Sequence, residues 1–215
     1  ENEKTIHAEY AAEMARMLVY DIFREETYTR GLNVYTTIRD KDQVAAWEAV
    51  RKHLIAYDRK YRYRGPSGRI DISDEQTRDD TIRLALHKAK SSDNLEPAVV
   101  TELTDKTFKA VVLDGKELKT LDLDADSRKF AGKYLTNKVA KEKRLQPGSI
   151  IRVSRVKKGW TLSQIPEVQA GFISVNFDTG AVKSLVGGFD FYLNMFNHVT
   201  QALRQPGSSF KPFIY

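Results

Sequence analysis

The apolar residues of this chain change their repeat at Pro97, and that change limits the fold more than any other feature. Upstream, the spacing is helical. Val44, Trp47, Val50, Leu54, Tyr57 and Tyr61 recur at intervals of three and four, which puts them on one face of a long helix. Tyr10, Met14, Met17 and Leu18 make a similar face in an earlier segment that Gly31 ends. Downstream of Pro97, residues 98–103 and 108–113 are strand-like. Asp114-Gly115, followed by residues 116–121, is a hairpin signal, because glycine supplies the positive φ that a two-residue turn needs. Two more strands, 150–156 and 160–165, flank the turn Lys157-Lys158-Gly159. Helices that give way to several short strands specify a mixed α/β (α+β) chain. The strands from 98 to 165, with one short helix near 127–134, fit a small β-barrel.

The remaining segments follow from turn and cap chemistry. Residues 32–38 alternate and are rich in β-formers, which predicts a strand. Asp40-Lys41-Asp42-Gln43 reads as a capping box at the start of the long helix. Gly65-Pro66-Ser67-Gly68 is a break, and Ser73-Asp74-Glu75-Gln76 starts a further helix centred on Ile82, Leu84, Ala85 and Leu86. Residues 171–177 and 181–186 flank Asp178-Thr179-Gly180 as a second hairpin, which is expected to rejoin the sheet begun at 32–38.

One pattern near the end carries chemistry. Ser208 and Lys211 stand three apart, just after Pro206-Gly207. In a helix beginning at Ser208 they share a face, one turn apart. The lysine amine can then take the proton from the serine hydroxyl, which is otherwise a poor nucleophile. Pro212 restricts this helix to one that starts close to Ser208, because proline is tolerated only in the first turn. A second Ser-x-x-Lys, Ser154 with Lys157, lies in a predicted strand. There, positions three apart point to opposite faces and cannot cooperate.

Other chemistry is absent from the pattern. The histidines at 7, 53, 87 and 198 are scattered, and the chain has no cysteine, so neither a metal site nor a cofactor is expected. No phosphate loop or dinucleotide fingerprint occurs, and Gly187-Gly188 reads as a turn or close-approach site. The basic, tyrosine-interleaved stretch 57–64 has the composition of a single-strand nucleic-acid contact. It is read instead as a helix end whose cations favour the C-terminal dipole and whose tyrosines pack, so no nucleic-acid partner is expected. The net charge is +6, but 29 acidic against 35 basic residues make the bias mild. No apolar run reaches the length of a membrane helix.

Residues 166–215 resemble the start of the transpeptidase domain of class A, bifunctional penicillin-binding proteins. The resemblance lies in Ile165-Pro166-Glu167-Val168-Gln169-Ala170, Asp178-Thr179-Gly180-Ala181-Val182 and Leu185-Val186-Gly187-Gly188-Phe189-Asp190-Phe191. It continues through Phe196-Asn197, Thr200-Gln201-Ala202 and Arg204-Gln205-Pro206-Gly207-Ser208-Ser209-Phe210-Lys211-Pro212-Phe213. His198-Val199 departs from the family's commoner Arg-Ala, away from Ser208 and Lys211. Tyr28-Thr29-Arg30-Gly31 with the following strand and helix is similar to the family's approach to that domain, and residues 148–153 and 160–166 are similar to the last strands of its OB-like insert.

The resemblance implies a partial penicillin-binding transpeptidase fold, the β-lactamase-like serine acyltransferase fold, with an inserted small OB-like β-barrel. Residues 1–64 would be the linker and the first strand and helix, 65–165 the inserted domain, and 166–215 the transpeptidase core up to Ser-x-x-Lys. It implies a peptidoglycan D,D-transpeptidase that β-lactams acylate. Ser208 would be the acyl nucleophile, with its backbone N–H in the oxyanion hole, and Lys211 the general base. The implied partners are stem peptides ending in D-Ala-D-Ala, β-lactams and, through the insert, regulators of cell-wall synthesis. The implied location is the bacterial periplasm, with a membrane anchor and a glycosyltransferase domain elsewhere in the parent protein. The family's later motifs, Ser-x-Asn and Lys-Thr-Gly, would lie beyond Tyr215. Two other readings stand beside this one: a non-catalytic OB-type module that binds a polyanion or polysaccharide, and a related serine β-lactamase.

Overall fold

The computed structural model describes residues 6–157 and 159–214. Lys158, at the middle of the expected turn, and Tyr215, at the end of the Ser-x-x-Lys segment, lie outside the described residues. The chain divides into two compact units: one comprises residues up to Leu54 and from Val168 onward, and the other runs from Ile55 to Glu167.

In the first unit, α1 (Glu9–Phe23) buries Tyr10 and Ala11, while its outer face leaves Leu18 and Ile22 exposed. Tyr10 and Ala11 form a core with Leu185, joined by Met14, Ile38, Val182, Phe191 and Val199. The hairpin of β7 (Phe172–Val175) and β8 (Val182–Val186) is antiparallel. Its turn is held by the Asn176 side chain, which accepts from the N–H groups of Asp178 and Thr179. A left-handed Gly180 completes the turn at φ +70°. Gly187 and Gly188 permit a close approach: a Cβ on either would stand 2.5–2.6 Å from an atom of Tyr10.

Two sequence expectations fail here. Residues 32–38 do not form a strand, and the sheet consists of β7 and β8 alone. The segment reaches β8 only at its end, where Thr37 Oγ1 donates to Val182 O and Arg39 N to Lys183 O. Of its β-formers Ile38 packs on the core, while Val34 and Tyr35 are exposed, Tyr35 by 92%. The capping box also does not form. The long helix α2 (Asp40–Arg59) begins as expected, but the Gln43 side chain turns inward and is fully buried. Its Nε2 donates to His7 O at 2.8 Å and Leu185 O at 2.9 Å, and its Oε1 accepts from Leu185 N at 2.8 Å. An orphan strand edge in the core offers this amide more than the helix terminus does, because unpartnered buried backbone groups are costly.

The second unit is a six-stranded antiparallel sheet packed on both faces. β1 (Gly68–Arg69), β5 (Ser149–Val156), β2 (Glu96–Leu103), β3 (Phe108–Asp114) and β4 (Glu117–Asp122) lie in that order, and β6 (Gly159–Ser163) pairs with the far end of β5, on the side that β1 takes at its start. Side chains alternate between faces along each strand. Ala98, Val100, Ala110 and Val112 point into the main core with Leu121, Ile151, Val153 and Leu162. Val99 and Val111 point the other way, where Ile82 and Leu86 of α3 (Arg78–Lys88) cover them. Both faces are therefore dry, which is why β2 reads as a continuous apolar run.

The β3–β4 turn is the predicted one. Asp114 pairs with Glu117, and Gly115 supplies φ +63° in the two-residue loop. The two ends of the sheet meet through a single parallel bridge, Leu123 to Trp160, in place of a full ladder. The barrel suggested by the sequence is thus open along this line. α4 (Ala125–Ala131) starts beside the bridge, capped by Asp124, whose Oδ1 accepts from Ser127 N, Ser127 Oγ and Thr161 Oγ1 at 2.7–2.9 Å.

Candidate functional site

Pro206 has φ −64° and Gly207 φ +53°, so the pair turns the chain before a short helix can start. The helix that follows is Gly207–Phe213, and it is a 3₁₀-helix. The helix expected to begin close to Ser208 thus forms as a 3₁₀-helix, with Pro212 inside it. Ser209 N donates to Pro206 O at 3.0 Å, and Ile214 N to Lys211 O at 2.9 Å. With three residues per turn, positions i and i+3 of such a helix eclipse one another. Ser208 and Lys211 consequently sit on one face, and both are exposed. Phe213 of the same helix is 81% exposed.

The other Ser-x-x-Lys behaves as its strand dictates. Ser154 lies within β5, paired across to Thr161. Lys157 is exposed beyond the end of the strand. Among the described residues, no group of three His, Cys, Asp or Glu side chains is arranged to hold a metal ion.

The basic stretch 57–64 is tied into the second unit. Asp58, only 2% exposed, accepts from Arg64 Nη1 on both oxygens at 3.0 Å, from Gln164 Nε2 at 2.8 Å and from Glu167 N at 3.2 Å. Arg64 Nη2 donates to Ile165 O at 2.6 Å. Arg59 donates to Leu162 O and Asp126, and its guanidinium stacks 4.1 Å from the centroid of Phe130. Tyr63 enters the main core. Burial raises its hydroxyl above the ordinary tyrosine range, and the charge of Tyr134 adds to this.

Sequence reasoning did not single out Asp58 or Asp124, and it gave Gln43 only a capping role. Asp58 had one signal, a lone carboxylate within a run of cations. Burial by itself would raise the Asp124 carboxyl, but the Ser127 hydroxyl and N–H, the Thr161 hydroxyl and the nearby Arg59 outweigh it and hold the group below its ordinary range. Tyr10 moves the other way, to about 12, through burial and then the charges of Asp190 and Glu9. Its hydroxyl donates to Asn194 O at 2.6 Å.

Comparison with known proteins accounts for both units. The sequence profile of the penicillin-binding protein OB-like domain matches residues 63–168. Penicillin-binding protein 1A of Neisseria lactamica is 41% identical over 206 residues, covering 96% of this chain and 26% of that protein. Penicillin-binding protein 1A of Pseudomonas aeruginosa is 41% identical over 218 residues, covering 98% and 26%. This chain therefore spans about a quarter of the length of those relatives. The crystal structure of penicillin-binding protein 1A from Haemophilus influenzae superposes with a TM-score of 0.81 at 33% identity, over 97% of this chain and 30% of that one. An open OB-like sheet and relatives of one name along nearly the whole chain agree: residues 63–168 are a penicillin-binding protein OB-like domain, and the chain as a whole is similar to part of penicillin-binding protein 1A.

Proposed function

We propose that this chain is part of a peptidoglycan D,D-transpeptidase in which Ser208 is the acyl nucleophile and Lys211 the general base. The observation that carries the reading is the 3₁₀-helix Gly207–Phe213, whose repeat aligns the two residues on one face directly after Pro206-Gly207. Ser208 Oγ attacks the carbonyl carbon of the penultimate D-alanine of a stem peptide as its proton passes to Lys211 Nζ. The oxyanion of the tetrahedral intermediate accepts from the Ser208 N–H at the first turn of the helix. The C–N bond then breaks, the departing D-alanine takes the proton, and an ester to Ser208 remains. The amine of a neighbouring stem attacks that ester and restores the serine. A β-lactam mimics the D-Ala-D-Ala end and leaves its ring-opened acyl group on Ser208.

On the same reading, the parent protein works in the bacterial periplasm, anchored to the inner membrane, and also carries peptidoglycan glycosyltransferase activity. No helix among the described residues is long and apolar enough to cross a membrane. The OB-like unit would be the surface that regulators of cell-wall synthesis reach.

The test uses the complete protein. Labelled penicillin should attach with Ser208 present and fail to attach in Ser208→Ala, while Ser154→Ala labels normally. Labelling of Ser208→Ala at the original rate would refute the assignment. The lifetime of the adduct separates a transpeptidase from a serine β-lactamase: a β-lactamase releases the acyl group within the time of a turnover.

A further inference from the structure

The OB-like unit contains a cavity of about 320 Å³ whose walls bear four cations, Arg59, Arg62, Lys129 and Lys133, and two aromatic rings, Tyr63 and Phe130. Only Arg59 is neutralised, by Asp126 at 2.6 Å. Among the described residues no carboxylate pairs with Arg62, Lys129 or Lys133. Four cations against one carboxylate leave a net charge of +3 around a space of ligand size.

Tyr63 is 4% exposed and lines this cavity with its hydroxyl closed off from the space, in the main core. Arg62 adds a second observation: its backbone is left-handed, φ +76°. That conformation is strained for a residue with a side chain and persists where the surroundings impose it. Here Arg62 O accepts from Gln164 Nε2 at 3.1 Å.

We infer that this cavity binds a multiply charged oxyanion, a phosphomonoester or diphosphate, held by Arg62, Lys129 and Lys133. The net positive charge selects for the number of ligand charges, which favours phosphate esters over a single carboxylate. Phe130 and the Arg59 guanidinium stacked on it form a flat wall for whatever the phosphate is attached to. The site involves neither Ser208 nor Lys211, and it stands or falls independently of the transpeptidase reading.

The experiment titrates the 215-residue chain with inorganic pyrophosphate at low salt, followed by calorimetry. One saturable site is expected, weakening as salt rises. Arg62→Gln and Lys133→Gln, both exposed and away from the core, should each weaken it by about tenfold. Lys88→Gln, on α3 and outside the cavity, should leave it unchanged. Acetate should bind far more weakly than pyrophosphate. Vesicles doped with phosphatidate distinguish the sources: binding that pyrophosphate displaces assigns a lipid headgroup, and binding of the soluble anion alone assigns a free phosphate ester. The proposal is overturned if pyrophosphate gives no saturable signal, or if Lys88→Gln weakens binding as much as Lys133→Gln. It is also overturned if a single-stranded oligonucleotide binds more tightly than pyrophosphate.

Discussion

Replacing Gln43 by leucine should destabilise the first unit far more than its conservative size suggests. The Gln43 amide makes three bonds to main chain, two of them to the N–H and C=O of Leu185 on β8. It behaves as one residue of a missing strand, satisfying an edge that the two-stranded sheet leaves open. Leucine fills a similar volume but strands both groups of Leu185, a residue only 2% exposed. Each buried group left unpaired costs about 1–3 kcal/mol, so the expected loss is roughly 2–6 kcal/mol. His7 O is only part-buried, and water can replace its bond, so it adds little. The assay is urea unfolding followed through Trp47, which stacks on His7 with ring centroids 3.6 Å apart. The chain has two tryptophans, and a Trp160→Phe background leaves Trp47 as the sole reporter. Gln43→Glu, which keeps the shape and one acceptor, should also destabilise, because it buries a charge or loses the donor. A loss below about 1 kcal/mol for Gln43→Leu with an unchanged denaturant slope would refute the reasoning.

Four further outcomes are expected. Asp124 is held below its ordinary range in the folded state, so its contribution is present above the unfolded value of about 3.9 and is lost as the pH falls through the lower folded value. Asp124→Asn should cost about 1 kcal/mol at neutral pH and flatten the acid limb of a stability-versus-pH curve read by Trp160 fluorescence. Gly148→Ala should destabilise the OB-like unit by about 3 kcal/mol or more, since its φ is +87° and a Cβ would lie 2.1 Å from Ile70 O. Gly115→Asn, with open space around it, should cost under about 1 kcal/mol, both variants being read by thermal melts. The 215-residue chain alone should form no penicillin adduct, because acyl transfer needs preorganised donors in a site shielded from water and Ser208 and Lys211 lie on an exposed helix; mass spectrometry showing a stoichiometric adduct would contradict this.

What the sequence makes legible is local. The β3–β4 turn, both long helices and the strands from 149 to 163 follow from period and turn chemistry, and all of these appear. The spacing of Ser208 and Lys211 is equally local, and the helix expected close to Ser208 appears as a 3₁₀-helix. The failures share a cause. Residues 32–38 have strand composition, but a strand requires a neighbour, and their neighbour is reached only at Thr37 and Arg39. Gln43 has a capping-box position, yet its partner Leu185 is 142 residues away. Asp58 likewise finds Gln164 across 106 residues. A polar side chain whose partner is that remote leaves no periodic trace, because nothing in its own neighbourhood has to change to suit it.

Asp58 has a further consequence, for the topology of the chain. It binds the N–H of Glu167, 109 residues downstream, and Arg64 bonds to Ile165 beside it. The path into residues 59–166 and the path out are thus buckled together at one carboxylate. Once that buckle is shut, the flanking chain experiences the enclosed residues as a ring of fixed mouth and adjustable circumference. Doubling such a ring adds only about 0.6 kcal/mol of closure entropy. Strands may be lengthened, loops inserted or the whole enclosed piece exchanged at small entropic cost, provided the replacement again presents an N–H and a cation to Asp58.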